Sequence, residues 1–144
     1  MRTPRVRQMP LTVPRTAHAR AKELADIDRL LESTPRLAEL VAADLPHAKG
    51  ASVDTGRPGL TGDQVLRASI VRSLEGCSYV DLAFHLSDSQ TYRWFCRIGW
   101  GESSPSDSTL QENIRRVKPA TWEAVNPDLL TCPLGMALVG PEFA

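Results

Sequence analysis

The 144-residue sequence has little of what marks a membrane protein, a secreted protein or an enzyme. Its longest apolar run, Leu129 to Val139, is about half of the roughly 20 residues that a membrane helix needs, and Pro133 and Gly135 break it. No apolar h-region follows Arg2, Arg5 and Arg7, so a secretory signal is not expected and the expected location is cytoplasmic. Cysteine is scarce: Cys77, Cys96 and Cys132 are odd in number and form no CxxC, which argues against a disulfide framework and a zinc finger. Reduced thiols are expected, with Cys77 and Cys96 acting as small core residues. Charge of one sign is missing too, since 17 Lys and Arg balance 17 Asp and Glu. No segment alternates with period two, so no sheet of consequence is expected.

The motifs of common catalytic sites are also missing. There is no G-x-S-x-G, no phosphate loop and no dinucleotide fingerprint. The histidines are scattered, and His85 has no Cys or His at metal-ligand spacing. Asp63, Asp81, Asp88 and Asp107 lie at expected helix ends, where capping and the helix dipole explain them at about 0.5–1 kcal/mol each. The expectation is no catalytic residue, no metal, no cofactor and no small-molecule substrate.

What is present is helix. Residues 1–22 hold Arg2, Arg5, Arg7, Arg15, Arg20 and Lys22 with no acid, and Pro4, Pro10 and Pro14 interrupt them. They read as a disordered basic arm, either a phosphate-tracking tail or a solvated start. Residues 23–46 read as a helical hairpin or kinked helix suited to packing or dimer contacts. Leu24, Ile27, Leu30 and Leu31 form its first stripe, Thr34-Pro35 a cap and first helical residue, and Leu37, Leu40 and Val41 the second stripe. Residues 47–60, rich in Gly and Pro, read as a linker.

Residues 61–126 tighten into short helices. One spans 61–75, with a Thr61/Gln64 capping box and Gly76 at its C′ position. The next spans 78–88, with a Ser78/Asp81 box and a stripe of Tyr79, Leu82, Ala83 and Leu86. A third covers 89–98. A fourth covers 108–118, with a Ser108/Gln111 box and Leu110, Ile114 and Val117 inward. A last one covers 119–126, and residues 127–144 read as an irregular tail. The fold class expected is all-α: a compact helix-turn-helix-like bundle preceded by the hairpin and the arm.

Small helices with Arg-rich outer faces are the build of a helix-turn-helix. In the 108–118 helix, Ser108 and Thr109 can hold a phosphate at the N-terminus. Gln111 and Asn113 suit an adenine edge and an Arg a guanine edge, while Arg115, Arg116 and Lys118 add phosphate contacts. An ordinary solvated amphipathic helix is the competing reading. Gln90, Arg93 and Arg97 share a face of the 89–98 helix, although its aromatic residues suit a scaffold better. Arg57 in Gly56-Arg57-Pro58 suits a minor groove, with a plain linker as the simpler reading.

Six blocks carry a family resemblance. Gly56-Arg57-Pro58 precedes Gln64-Val65-Leu66-Arg67-Ala68 and then Leu74-Glu75-Gly76-Cys77-Ser78-Tyr79-Val80-Asp81-Leu82-Ala83-Phe84-His85-Leu86-Ser87-Asp88-Ser89. Tyr92-Arg93-Trp94-Phe95-Cys96, Pro105-Ser106-Asp107-Ser108-Thr109-Leu110-Gln111-Glu112-Asn113-Ile114 and Thr121-Trp122-Glu123-Ala124-Val125-Asn126 follow in order. Together, over about residues 56–126, they resemble the N-terminal domain of insertion-sequence transposases related to the IS5 group. The resemblance implies a helical domain that recognises an element's terminal repeats in DNA transposition, preceding a ribonuclease-H-like domain with a DDE triad and two metal ions. It stops near Asn126, and no catalytic residue carries over. It therefore implies a truncated, non-catalytic DNA-binding fragment whose partner is double-stranded DNA. The alternatives are a dimerisation module built on the 23–46 hairpin and a non-functional pseudogene product.

Overall fold

A computed structural model describes residues 18–45, 59–99 and 101–130. Its secondary structure is helix throughout, with no strand among the described residues. The helices are α1 (Ala19–Ser33), α2 (Arg36–Asp44), α3 (Gly62–Glu75), α4 (Tyr79–Asp88), α5 (Gln90–Phe95), α6 (Asp107–Arg116) and α7 (Pro119–Leu130). The all-α expectation therefore holds. Among the described residues no helix is long and apolar enough to cross a membrane.

The core is organised around α3. Val65, Leu66, Ala68, Ile70 and Val71 are buried, together with Arg67 and Ser69, so this helix is covered on nearly every side. Helix α2 packs on one side of it, and α4 and α6 on others. Gly62 makes the α2 crossing close: a Cβ there would lie 2.6 Å from Ala42 Cβ and 2.7 Å from the Ala38 carbonyl oxygen. Leu24, Ile27 and Leu31 of α1 and Leu37 and Val41 of α2 join the same apolar cluster as α3, α4 and α6. The buried apolar side chains of the hairpin thus serve the fold's own core, while Leu30, Leu40 and Leu45 are partly buried at its margin. Arg67 meets Asp28 at mid-helix and Arg20 meets Leu74 near the ends, so α1 and α3 run antiparallel.

The sequence signals at the helix ends are mostly realised. Thr61 and Gln64 form the expected reciprocal capping box at 3.1 Å each way. Gly76 adopts φ +61°, and its N–H donates to the Arg72 carbonyl. Ser78 Oγ accepts from the Asp81 N–H at 3.2 Å.

Five boundaries differ from the sequence reading. Helix α1 begins at Ala19, inside the segment assigned to the basic arm, because His18 Nδ1 accepts the Arg20 N–H and Arg20 binds Glu23 and the end of α3. Residues 1–17 of that arm lie outside the described residues, as do linker residues 46–58. Thr34 closes α1 rather than capping α2, which starts after Pro35. Helix α5 ends at Phe95, short of the expected 98. Ile98 N–H reaches back to Arg93 O and Arg97 N–H to Trp94 O, a Schellman closure with Arg97 at φ +59°. Helix α6 is capped by Ser106, not Ser108. Helix α7 continues through Pro127 to Leu130, into the segment read as irregular tail, because Leu129 extends the buried stripe of Trp122 and Val125. Residues 131–144 lie outside the described residues.

The thiols behave as core groups. Cys96 is buried and burial pushes its thiol well above the ordinary value. Cys77 is half-buried, and burial raises its thiol pKa despite the nearby Arg72 cation. Cys132 lies outside the described residues.

Candidate nucleic-acid interface

Helix α6 is the most divided of the helices. Leu110, Ile114 and the following Val117 are buried against α3 and α4. Ser108, Glu112, Arg115, Arg116 and Lys118 stand on its exposed side. Its N-cap is Ser106, whose Oγ accepts from the Thr109 N–H at 3.3 Å. The serine at 106 wins over the one at 108 because Asp107 then enters the first turn, where a carboxylate meets the positive end of the helix dipole. Ser108 consequently sits inside the first turn. Thr109 Oγ1 lies 2.9 Å from Ser106 Oγ. The helix start is therefore occupied by its own cap and by Asp107, and a phosphate there meets an acid.

Farther along, two of the expected base-reading groups are turned on the helix itself. Asn113 Nδ2 donates to the Thr109 carbonyl at 2.8 Å. With its amide turned so that the oxygen faces Arg115, Gln111 accepts from Arg115 Nη2 at 3.0 Å. Arg116 pairs with Glu112 at 2.6 Å, one turn back. Arg115 is exposed and, among the described residues, pairs with no carboxylate. Lys118 is exposed; its backbone N–H donates to Asp44 Oδ2 at 2.9 Å. Arg115, Arg116 and Lys118 thus cluster at the C-terminal end of α6, where cations also suit the helix dipole.

The second group of candidates is split up. Gln90 is exposed at the start of α5. Arg93 is spent on main chain: its guanidinium donates to the carbonyls of Leu86, Gly99 and Glu102 at 3.2, 3.0 and 2.7 Å. It ties α4 to the loop after α5, and burial of that work leaves it little to offer a phosphate. Arg97 falls past the helix end, so it does not share the face that i, i+3, i+7 spacing suggests. Its Nη2 binds Asp28 and Glu32 of α1 at 2.8 and 2.7 Å. Arg57 lies outside the described residues.

The groups that sequence reasoning missed are Arg67 and Asp44. Arg67 is 1% exposed and binds Asp28, Glu32, Asp63 and the Phe95 carbonyl. Burial disfavours its charge, but the bonds to Asp28 and Asp63 more than offset this and raise its pKa. Asp44 closes the N-terminus of α7. Desolvation pushes its carboxyl up, yet the Thr121 hydroxyl, the Lys118 N–H and the Lys118 charge outweigh that and hold it below the usual carboxylate value. Among the described residues no group of three or more His, Cys, Asp or Glu is placed to hold a metal ion.

A helical unit in which α1 through α6 share one core is what a family model described as Transposase domain (DUF772) matches, over residues 14–116. The chain belongs to this transposase-domain family. The match reaches upstream of the 56–126 resemblance to take in α1 and α2, and it ends at Arg116, the last residue of α6. Membership in a transposase-domain family associates the chain with transposition. No curated protein and no solved structure matches it.

Proposed function

We propose that this transposase-domain chain recognises duplex DNA at the terminal repeats of an insertion element of the IS5-group, DDE-type kind. The outward side of α6 is the contact surface, and no phosphodiester chemistry is assigned to the described residues. The observation that carries the reading is Arg115: an exposed guanidinium on a helix locked to the core, beside Arg116 and Lys118, with no carboxylate partner among the described residues. Other arginines of the fold are tied up, Arg67 and Arg97 by acids and Arg93 by carbonyls. A balanced net charge then leaves a local cationic end rather than a basic molecule. Backbone phosphates supply the affinity, and the salt dependence follows from the counterions released.

The test is fluorescence anisotropy of a labelled element-end duplex titrated with the chain at several salt concentrations. Binding that weakens steeply with salt and weakens again in Arg115→Ala supports the reading. No binding at low salt overturns it.

A further inference from the structure

Two large apolar side chains of α4 stand in solvent: Val80 is 64% exposed and Phe84 62%. They are one turn apart and share a face. Asp81 and Asp88 are exposed alongside them, and α4 carries no Lys or Arg. The face is therefore apolar and acidic at once. Its complement is an acid-free segment in which arginines are interspersed with apolar side chains. Residues 1–17 have that composition: Arg2, Arg5, Arg7 and Arg15 with Val6 and Leu11 among them, and no Asp or Glu.

The chain also enters the fold at the right corner. At the start of α1, Arg20 Nη2 donates to the Leu74 carbonyl at 3.5 Å, and its Nε lies 3.5 Å from Glu75 Oε1. Glu75 ends α3, and α4 begins just after the Gly76 turn. From Val80 to Asp88 the face is about 12 Å long at the helical rise. Seventeen residues preceding His18 reach up to about 56 Å when extended, so the length is ample.

We propose that residues 1–17 dock on this face of α4. Val80 and Phe84 receive the apolar side chains of the segment, while Asp81 and Asp88 receive its guanidinium groups. The contact is intramolecular and does not depend on the DNA reading.

The test uses the full chain with the photo-reactive p-benzoylphenylalanine in place of Phe84. Its exposure means that the replacement leaves the core untouched. Irradiation followed by mass spectrometry, on a mixture of isotopically light and heavy protein, maps each cross-link and separates contacts within a chain from those between chains. The expected result is a cross-link to residues 1–17 of the same chain. It weakens with added salt and with Asp88→Lys, and is lost when Arg2, Arg5, Arg7 and Arg15 are all changed to Glu. Cross-links to residues 131–144, cross-links only between chains, or none to residues 1–17 overturn the proposal. So does a yield unchanged by the charge reversals.

Discussion

Arg67 and Asp28, 39 residues apart in sequence, meet at 2.6 Å, and this ion pair fastens α1 to α3 inside the fold. Arg67 also binds Asp63 at 2.9 Å and Glu32 at 3.0 Å, and lies 5.2 Å from the Phe95 ring centre. Arg97 approaches the same two α1 acids from the other side. Arg67→Ala removes the buried cation, strips the Phe95 carbonyl of its guanidinium donor, leaves Asp28 to Arg97 alone and opens a cavity, and is expected to cost about 2–5 kcal/mol. Asp28→Ala costs less, because Asp63 and Glu32 still hold the guanidinium. Glu32→Ala costs least, about 0–1 kcal/mol, since that side chain is 60% exposed. Urea denaturation followed by circular dichroism gives the order. A Glu32 variant as damaged as the Arg67 variant contradicts this account.

This network also marks the limit of what the sequence discloses. The Thr61/Gln64 box, the Gly76 stop and the Leu82/Leu86 stripe are local features, fixed within one or two turns, and the structure contains them. The helical spacing of Leu66, Ile70 and Leu74 alone puts Arg67 on another face of α3. Yet Val65, Ala68 and Val71 make α3 apolar nearly all round, the pattern of a helix with no solvent side. That signal was there, but the identity of the acids that neutralise Arg67 is a long-range fact. The same holds for Arg93 and Arg97, whose partners lie on a loop carbonyl and on α1. The α6 start was ambiguous for a different reason, since Ser106 and Ser108 are both acceptable caps and only the placement of Asp107 separates them. Helical periodicity fades after residue 126, yet burial of Leu129 carries α7 through Pro127 to Leu130.

The close α2–α3 crossing makes Gly62 sensitive to a single methyl group. Alanine would gain about 1 kcal/mol in helix propensity. Its Cβ, however, would press on Ala42 Cβ and on the Ala38 carbonyl oxygen, and the carbonyl belongs to backbone that has no rotamer to yield. A net loss of about 1–3 kcal/mol is expected for Gly62→Ala. Gly59, whose added Cβ meets nothing within 4 Å, serves as the control and should be near neutral. Thermal melting of the two variants distinguishes them, and equal melting temperatures count against the packing argument.

Asp44 gives α7 a pH dependence with a definite sign. Its folded pKa is depressed, so the stability it contributes is present above the unfolded value and is lost as pH falls through the folded pKa. Asp44→Ala removes the acceptor of the Lys118 N–H and the Thr121 hydroxyl, and is expected to cost about 1 kcal/mol at neutral pH, as other lost caps do. The difference between parent and variant should shrink below the usual carboxylate pKa, as the parent's carboxyl protonates. Denaturation midpoints measured from neutral pH down into that acidic range test this. A gap that stays constant or widens on acidification rejects the assignment.

At the end of α6, Arg115 and Arg116 make different predictions because their neighbours differ. Among the described residues Arg115 is paired with the neutral Gln111 amide and with no carboxylate, so Arg115→Ala should weaken duplex binding and lower the salt slope by about one unit. Arg116 is partly neutralised by Glu112, so its loss should matter less. By the same reasoning Glu112→Gln should strengthen binding, since it frees Arg116 and removes a carboxylate from the surface that faces phosphate. Arg93→Ala is the contrasting control: it strands the carbonyls of Leu86, Gly99 and Glu102, so it should lower the melting temperature while leaving the salt slope unchanged in the folded protein. Anisotropy titrations across salt, paired with melting curves, read both properties on the same samples. If the Arg93 variant loses salt-dependent binding while the Arg115 variant keeps it, the contact surface is not the outer side of α6 but the α4–α5 corner.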